Sequence, residues 1–428
     1  MRARGAPPIA SRLLALGVLL ALASASVATS PALAAPSSTV PPPTPVPIPG
    51  GGTSPSPFPT ALATPPPSAT APEIGAASAA LVDLDSGQVL FEQDGHERRP
   101  IASLTKIMTA LLVLRRTQPS DVVTVSEDAV EPVRAGIAQL GLRAGETITV
   151  EQLLYALLLQ SANDAAVALA DHVSGSVDAF VAAMNARARR LGLRDTRFAS
   201  PNGLDDSGYS TALDLARLTR VVERDPLFAQ VVSTRFHEIP APQGPPRVVQ
   251  NRNALLWLYP GAVGVKTGYT SAAGFCVVAA AEREGLRLVA VVLGEPGEPF
   301  SDAAELLDFG FAAFERRPLV QAGERFAAVE VDGRPVQVAA GAGLVGLVPV
   351  DADIRRIVRM ASGAAFPPAR GARIGAVVVF ADDLRLGTVP LVVTEVPPPP
   401  PPDAGPWWRR AGSALVRAVG RLFAGLFG

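Results

Sequence analysis

Apolar residues between positions 75 and 316 follow two different spacings along the chain. At both ends of this region they form short continuous runs, which are typical of buried strands. Each pair of runs flanks a polar turn that ends in glycine, so two hairpins are predicted. The four predicted strands cover 77–83, 88–92, 275–281 and 286–293.

Between these strands the apolar positions recur at helical spacing. A capping box at Thr149-Val150-Glu151-Gln152 predicts a helix that runs to about Gln160. Further helices are predicted over 103–114, 164–173 and 301–314. Strands at both ends with helices between them favour an α+β domain over 73–317, in which the first and last strands share one antiparallel sheet.

From Pro318 onward the pattern predicts strands alone. The predicted strands cover 326–331, 336–339, 374–380 and 388–394, and Asp332-Gly333 supplies a hairpin turn between the first two. This pattern favours a small all-β domain over 318–396. The proline-rich residues 397–405 then form a stiff spacer.

The N-terminal residues 1–34 are predicted to be an export signal. Arginines precede a short apolar run, and Ala32-Leu33-Ala34 is an A-x-A cleavage site. An uncleaved anchor is the alternative. Residues 35–72 contain fourteen prolines and no charged residue, so we expect a disordered arm that cannot bury a core.

The C-terminal residues 406–428 are predicted to form an amphipathic helix. At 100° per residue, Arg410, Arg417 and Arg421 fall on one face, and Trp408, Leu415 and Leu422 fall on the other. A basic amphipathic helix favours binding in a membrane interface. The alternative is a helix docked on the second domain. The hypothesis is an exported protein held peripherally at the outer face of the cytoplasmic membrane.

Composition narrows the possible chemistry. The chain has 38 basic and 39 acidic residues, and this balance gives no reason to expect a nucleic-acid partner. One cysteine excludes an internal disulfide framework, and three histidines without metal-type spacing make a metal site improbable.

Only two of the basic residues are lysine, Lys106 and Lys266. An arginine cannot lose its proton in a protein, whereas a lysine can be tuned to a neutral base.

Both lysines lie in short strings that suggest nucleophilic catalysis. In Ser103-Leu104-Thr105-Lys106 the serine and the lysine share a helix face, so the amine can activate the hydroxyl. Lys266-Thr267-Gly268 is predicted on a strand, with glycines that let a substrate backbone approach. Ser161-Ala162-Asn163 lies at a junction of two helices. Taken singly, the strings also fit a helix start, a strand end and a helix N-cap.

As a set, the three strings resemble those of the penicillin-recognising serine enzymes. Pro201-Asn202-Gly203 and Asn251-Arg252-Asn253 add a likeness to the low-molecular-mass D-alanyl-D-alanine carboxypeptidases. This resemblance covers roughly residues 75–316. It implies a β-lactamase/transpeptidase-like catalytic domain, an antiparallel sheet with a helical subdomain, followed by a small all-β domain and a C-terminal amphipathic helix.

The resemblance also implies a role for each matched residue. Ser103 would form an acyl-enzyme, Lys106 would accept its proton, and Ser161 and Asn163 would relay the proton and orient the lysine and the substrate amide. Lys266 would supply positive potential. The substrate-binding set is completed by Thr267, Arg252, Gly268 and Tyr269, which would hold the terminal carboxylate and the oxyanion. No cofactor or metal is implied.

The expected substrate is therefore the peptidoglycan stem peptide, and β-lactam antibiotics are expected to acylate the same serine. Three other readings stay open. A β-lactamase uses similar groups, although Ala162 stands where such enzymes carry an aspartate. A DD-endopeptidase uses the same machinery on cross-links. A non-catalytic wall-binding module is less consistent with the two retained lysines.

Overall fold

The computed structural model describes residues 70–130, 137–297, 299–331, 334–361 and 368–395. The strands are β1 Ser78–Asp83, β2 Val89–Gln93, β3 Val122–Thr124, β4 Thr147–Thr149, β5 Phe236–Ile239, β6 Arg247–Gln250, β7 Ala262–Thr270, β8 Gly274–Arg283, β9 Leu286–Glu295, β10 Phe314–Val320, β11 Arg325–Val331, β12 Arg334–Ala340, β13 Leu344–Pro349, β14 Ile354–Met360, β15 Arg373–Ala381 and β16 Leu384–Glu395. The helices are α1 Lys106–Arg116, α2 Val150–Tyr155, α3 Asn163–Ser174, α4 Val177–Leu191, α5 Ala212–Val222, α6 Pro226–Ser233, α7 Leu255–Leu258 and α8 Pro299–Ala313.

A five-stranded antiparallel sheet in the order β2-β1-β9-β8-β7 forms the centre of the α+β region. The predicted hairpins are present within about two residues of their expected ends, and the first and last predicted strands pair directly, with Ala80 opposite Val291. Both faces of the sheet are covered. Val82 and Val289 belong to the core shared with the helical part, while Leu81 and Leu288 pack with α8 on the other side. Burial on both faces explains the continuous apolar runs.

The helical part contains two of the sequence strings that are predicted to be catalytic. The Thr149 side chain accepts the Gln152 backbone N–H at 3.3 Å, which confirms the predicted cap of α2. Residues 156–160 continue α2 as a π-helical turn that ends at Ser161. The helix predicted over 103–114 begins instead as a 3-10 turn, Ala102–Thr105, before α1.

The C-terminal region is a sheet in the order β11-β12-β16-β15-β14, accompanied by the two-stranded pair β10-β13. Its core contains Val336, Val377 and Leu391. The strand β10 begins at Phe314, directly after α8, and pairs with β13. The change from helix to strand therefore comes a few residues before Pro318.

Several predictions fall on residues that the structure does not describe. These are the export signal 1–34, nearly all of the arm 35–72, the spacer 397–405 and the amphipathic helix 406–428. Among the residues it does describe, no single helix has both the length and the apolar composition needed to cross a membrane, although α3 and α4, bent by 83°, meet both criteria as a pair.

Candidate active site

The two residues of the S-x-x-K string are in direct contact. Lys106 is the first residue of α1, and its Nζ lies 2.9 Å from the Oγ of Ser103 on the preceding turn. The same Nζ lies 2.8 Å from Asn163 Oδ1 and 2.7 Å from the Asn202 carbonyl oxygen. Lys106 is fully buried. One amine thus joins the nucleophile of one segment to two other segments that are distant in the sequence.

The surroundings of Lys106 favour its neutral form. Burial lowers the pKa of Lys106 well below its ordinary value, and the positive charges of Lys266 and Arg252 lower that pKa further. The carboxylate of Asp164 acts in the opposite direction. A neutral amine beside a serine hydroxyl can accept its proton, which is the activation that a serine nucleophile requires.

The second lysine of the chain is also buried, on a strand beside the turn that carries Ser103. Lys266 lies on β7, and its Nζ donates a hydrogen bond to the Thr267 carbonyl at 2.8 Å. Burial, followed by the charge of Arg252, lowers the pKa of Lys266 to about 7. Lys266 therefore changes its charge near neutral pH.

Strained or closely packed backbone surrounds the nucleophile. Ala102 and Ser161 have positive φ angles of 46° and 65°, which non-glycine residues rarely adopt. A Cβ added to Gly268 would lie 3.0 Å from the Ser103 nitrogen, and one added to Gly203 would lie 1.9 Å from the Ala102 oxygen. The absence of a side chain at Gly268 thus lets β7 lie close to the turn that carries Ser103. The sequence analysis expected the glycines of this strand to make room for a substrate backbone, and the structure shows that Gly268 also makes room for the backbone of the protein itself.

These groups open onto a cleft of about 340 Å³, a size suited to a small ligand. The predicted site residues that line it are Ser103, Ser161, Asn163, Arg252, Thr267, Gly268 and Tyr269. Lys106 and Lys266 are buried behind this lining. The structure therefore brings all nine predicted residues to one place, from four separate segments.

Sequence reasoning missed several apolar residues of the cleft. The rest of the lining consists of Ile137, Ala138, Leu204, Phe275, Cys276, Pro299 and Phe300. The rings of Tyr269 and Phe275 are 4.6 Å apart at the rim, and both side chains are exposed. An exposed aromatic pair carries no motif, so only its position in the fold identifies it. Cys276 is buried, and burial raises the pKa of its thiol to about 11.

Comparison with known proteins identifies the family. Residues 66–297 match the peptidase S11 family, described as D-alanyl-D-alanine carboxypeptidase. This match covers more than half of the chain. The chain belongs to this family. The D-alanyl-D-alanine carboxypeptidase DacF of Bacillus subtilis is 32% identical over 339 residues, which span 75% of this chain and 85% of the relative. DacB2 of Mycobacterium tuberculosis is 41% identical over 256 residues, which span 58% of this chain and 86% of that protein.

Solved structures support the same assignment at the level of the fold. Penicillin binding protein 6B from Escherichia coli superimposes with a TM-score of 0.63 at 32% identity, over 77% of this chain and 99% of that one. Penicillin binding protein 5 from Haemophilus influenzae superimposes with a TM-score of 0.63 at 31% identity, over 76% of this chain and 98% of that protein. The expected α+β catalytic domain of the transpeptidase-like class, followed by a small β domain, is confirmed for this peptidase S11 member.

Proposed function

We propose that the chain is a serine-type D-Ala-D-Ala carboxypeptidase that removes the terminal D-alanine from peptidoglycan stem pentapeptides. The observation that carries the proposal is the 2.9 Å contact between Ser103 Oγ and Lys106 Nζ, at a cleft and with the pKa of the amine strongly lowered. Family membership supports the same reaction. A nucleophile with its own base can form an acyl-enzyme without a cofactor.

In the acylation step, Lys106 takes the proton of Ser103 while Oγ attacks the carbonyl carbon between the two D-alanines. The backbone N–H groups of Ser103 and Tyr269 stabilise the oxyanion of the tetrahedral intermediate. Ser161, which lines the cleft, relays the proton that Lys106 took from Ser103 to the leaving amine as the bond breaks, so Lys106 is neutral again. Free D-alanine departs, and a water molecule then hydrolyses the ester on Ser103.

The cationic end of the cleft selects a substrate with a free carboxylate. Arg252 and Thr267 both line the cleft, and Lys266 is buried beneath it. A guanidinium fork suits a carboxylate, and a second positive charge strengthens the field at that point. Penicillins present a comparable carboxylate beside a reactive carbonyl. We therefore expect them to acylate the same serine.

We further propose that the protein is exported and acts at the outer face of the cytoplasmic membrane, associated with the membrane surface through 406–428. The support is the leader-like sequence of 1–34 and the amphipathic pattern of the C-terminal residues. Deleting residues 403–428 should abolish binding to vesicles that contain anionic lipid. Undiminished binding of the shortened chain would remove this part of the proposal.

The reaction is tested by incubating the protein with a peptide ending in D-Ala-D-Ala and measuring released D-alanine. Mass spectrometry after labelled penicillin should find one adduct, on the peptide that contains Ser103. Ser103→Ala should lose both signals. Ser233→Ala is the matched control, because the hydrogen bonds of that hydroxyl to described residues stay within α6. An adduct on another residue, or unchanged D-alanine release by Ser103→Ala, would contradict the proposal.

A further inference from the structure

Asp164, the residue after Asn163, holds a separate segment of the chain in place. Its side chain is buried, at 5% exposure, on the first turn of α3. Its carboxylate accepts backbone N–H groups from three consecutive residues 22 to 24 positions earlier. The donors are Leu140, at 3.0 Å to each oxygen, Gly141 at 2.9 Å and Leu142 at 3.1 Å.

A capping role alone does not account for these contacts. Asp164 also accepts the Ala165 N–H at 2.9 Å, and a carboxylate in the first turn of a helix is favourable in itself. The bonds to Leu140, Gly141 and Leu142 add nothing to α3. They place on one carboxylate three N–H groups of residues 140–142 that have no other acceptor in the described part of the chain. Leu140 and Leu142 are buried, and their N–H groups need such an acceptor because leaving a buried N–H unpaired is costly.

The segment fixed in this way holds Asn163 in turn. The Ala138 carbonyl oxygen accepts both the backbone N–H and the side-chain Nδ2 of Asn163, each at 2.9 Å. With Nδ2 engaged there, Oδ1 is directed at Lys106 Nζ, 2.8 Å away. Ala138 also lines the cleft. The chain of contacts therefore runs from Asp164 through residues 138–142 to Asn163 and the amine.

We propose that Asp164 is a positioning residue for acylation, clamping residues 140–142 so that the Ala138 carbonyl orients the Asn163 amide toward Lys106. The inference rests on the proposed function, since it concerns the base of that reaction. It gives the fourth residue of the string Ser161-Ala162-Asn163-Asp164 a definite task. Asp164 touches neither the substrate cleft nor the nucleophile in this scheme and acts through its neighbours.

Electrostatics supplies a readout that a purely structural role does not move. The charged groups that face Lys106 are Lys266 from β7, Arg252 from the segment after β6, and Asp164 from α3. Asp164 opposes the other two and raises the pKa of the amine. Removing its charge therefore shifts the acid limb of the acylation rate to lower pH, because Lys106 then loses its proton more easily.

The test compares Asp164→Asn with Asp171→Asn. Asp171 lies on the same helix and carries the same charge, but its side chain bonds to Ser126. Asp164→Asn keeps the shape and turns one acceptor into a donor that faces N–H groups. We expect penicillin acylation to slow about 10- to 100-fold, the acid limb to move to lower pH, and the amides of 140–142 to exchange faster with solvent. Asp171→Asn should change none of these.

The outcomes separate the two proposals. If the native protein is not acylated by penicillin, the proposed function fails first. If the native protein reacts but Asp164→Asn keeps the native rate and pH profile, the positioning role is wrong. If Asp164→Asn does not fold, hydrogen exchange of the native protein decides. Strong protection of the Leu140, Gly141 and Leu142 amides is required, and exchange at the rate of an unstructured peptide overturns the inference.

Discussion

The amine of Lys106 contacts the hydroxyl of Ser103 across a single turn, 2.9 Å away, with no exposure of the lysine to solvent. Because the same burial that hides the amine also lowers its pKa, the base is prepared before any substrate arrives. The consequences of this relationship can be measured.

Replacing each buried lysine by arginine should lower the acylation rate to very different extents. Arginine cannot release its proton, so Lys106→Arg should slow penicillin acylation at least about 10³-fold, within the range known for lost general bases. Lys266→Arg keeps the positive charge and should retain much more of the native rate. Thermal unfolding of both variants controls for loss of fold. Comparable rates for the two variants would remove the distinction between base and charge.

The acylation rate should depend on pH in a bell shape. Lys106 must be neutral, so the rate rises as pH passes upward through its lowered pKa. Lys266 must be protonated to attract the carboxylate, so the rate falls above its pKa of about 7. Rates of adduct formation between pH 4 and 10 test this profile. Lys266→Arg should lose the alkaline limb and keep the acid limb; an unchanged alkaline limb would assign it to another group.

Arg252 is expected to bind the terminal carboxylate of the substrate. For the native protein, replacing that carboxylate by an amide should lower kcat/KM about 10- to 100-fold, the usual value of a charged hydrogen bond. Arg252→Gln should lose a similar factor on the free acid. The amide should then cost the variant little more, because the interaction is already absent. Full additivity of the two losses would show that Arg252 and the carboxylate do not meet.

Gly268→Ala should impair acylation without unfolding the protein. The added methyl would come within 3.0 Å of the Ser103 nitrogen and 3.2 Å of the Ala102 Cβ, so β7 or the nucleophile turn must shift. A shift of the nucleophile out of its reactive position lowers the acylation rate about 10- to 100-fold. Gly297→Ala is the control, because a Cβ there meets no atom of the described residues within 4 Å. Equal acylation rates in both variants would contradict the expected crowding.

Glu223 should make the fold less stable as pH rises. Burial raises the pKa of its carboxyl to about 7, against the charge of Arg287. Between these two pKa values, about 4.5 in the unfolded state and about 7 in the native state, only the native state keeps the proton of Glu223. The contribution of this proton to the free energy of unfolding is therefore complete below pH 4.5 and is lost as the pH rises to about 7. The shift corresponds to about 3 kcal/mol.

Glu223→Gln does not titrate, so its unfolding free energy relative to the native protein should be higher at pH 8 than at pH 5. Urea unfolding at the two pH values measures this difference. Glu305→Gln, at an exposed position of α8, serves as control. A gap between Glu223→Gln and the native protein that does not change with pH would refute the proposed titration.

Local signals in the sequence predicted the parts of the fold that local contacts govern. The hairpins around 83–89 and 283–286, the cap at Thr149 and the strand of Lys266 all have short-range physical causes. The sequence interpretation did not include α4, α5 or α6, nor the hairpin β5-β6. The apolar residues of these helices do recur at helical spacing, and Phe180, Leu215 and Phe228 from them are buried in the core, so a local signal was present. For β5 and β6, which have four residues each, packing on the core decides the structure.

By itself the sequence determined that a serine and a lysine three residues apart share one face, since helix geometry alone brings positions i and i+3 together. It also set apart the two lysines by their rarity. Only the tertiary structure brought Asn163 and the Asn202 carbonyl to the same amine and placed Lys266 and Arg252 near it. Contacts between distant segments, and the burial that lowers a pKa, exist only once the core has packed, so no local pattern specifies them.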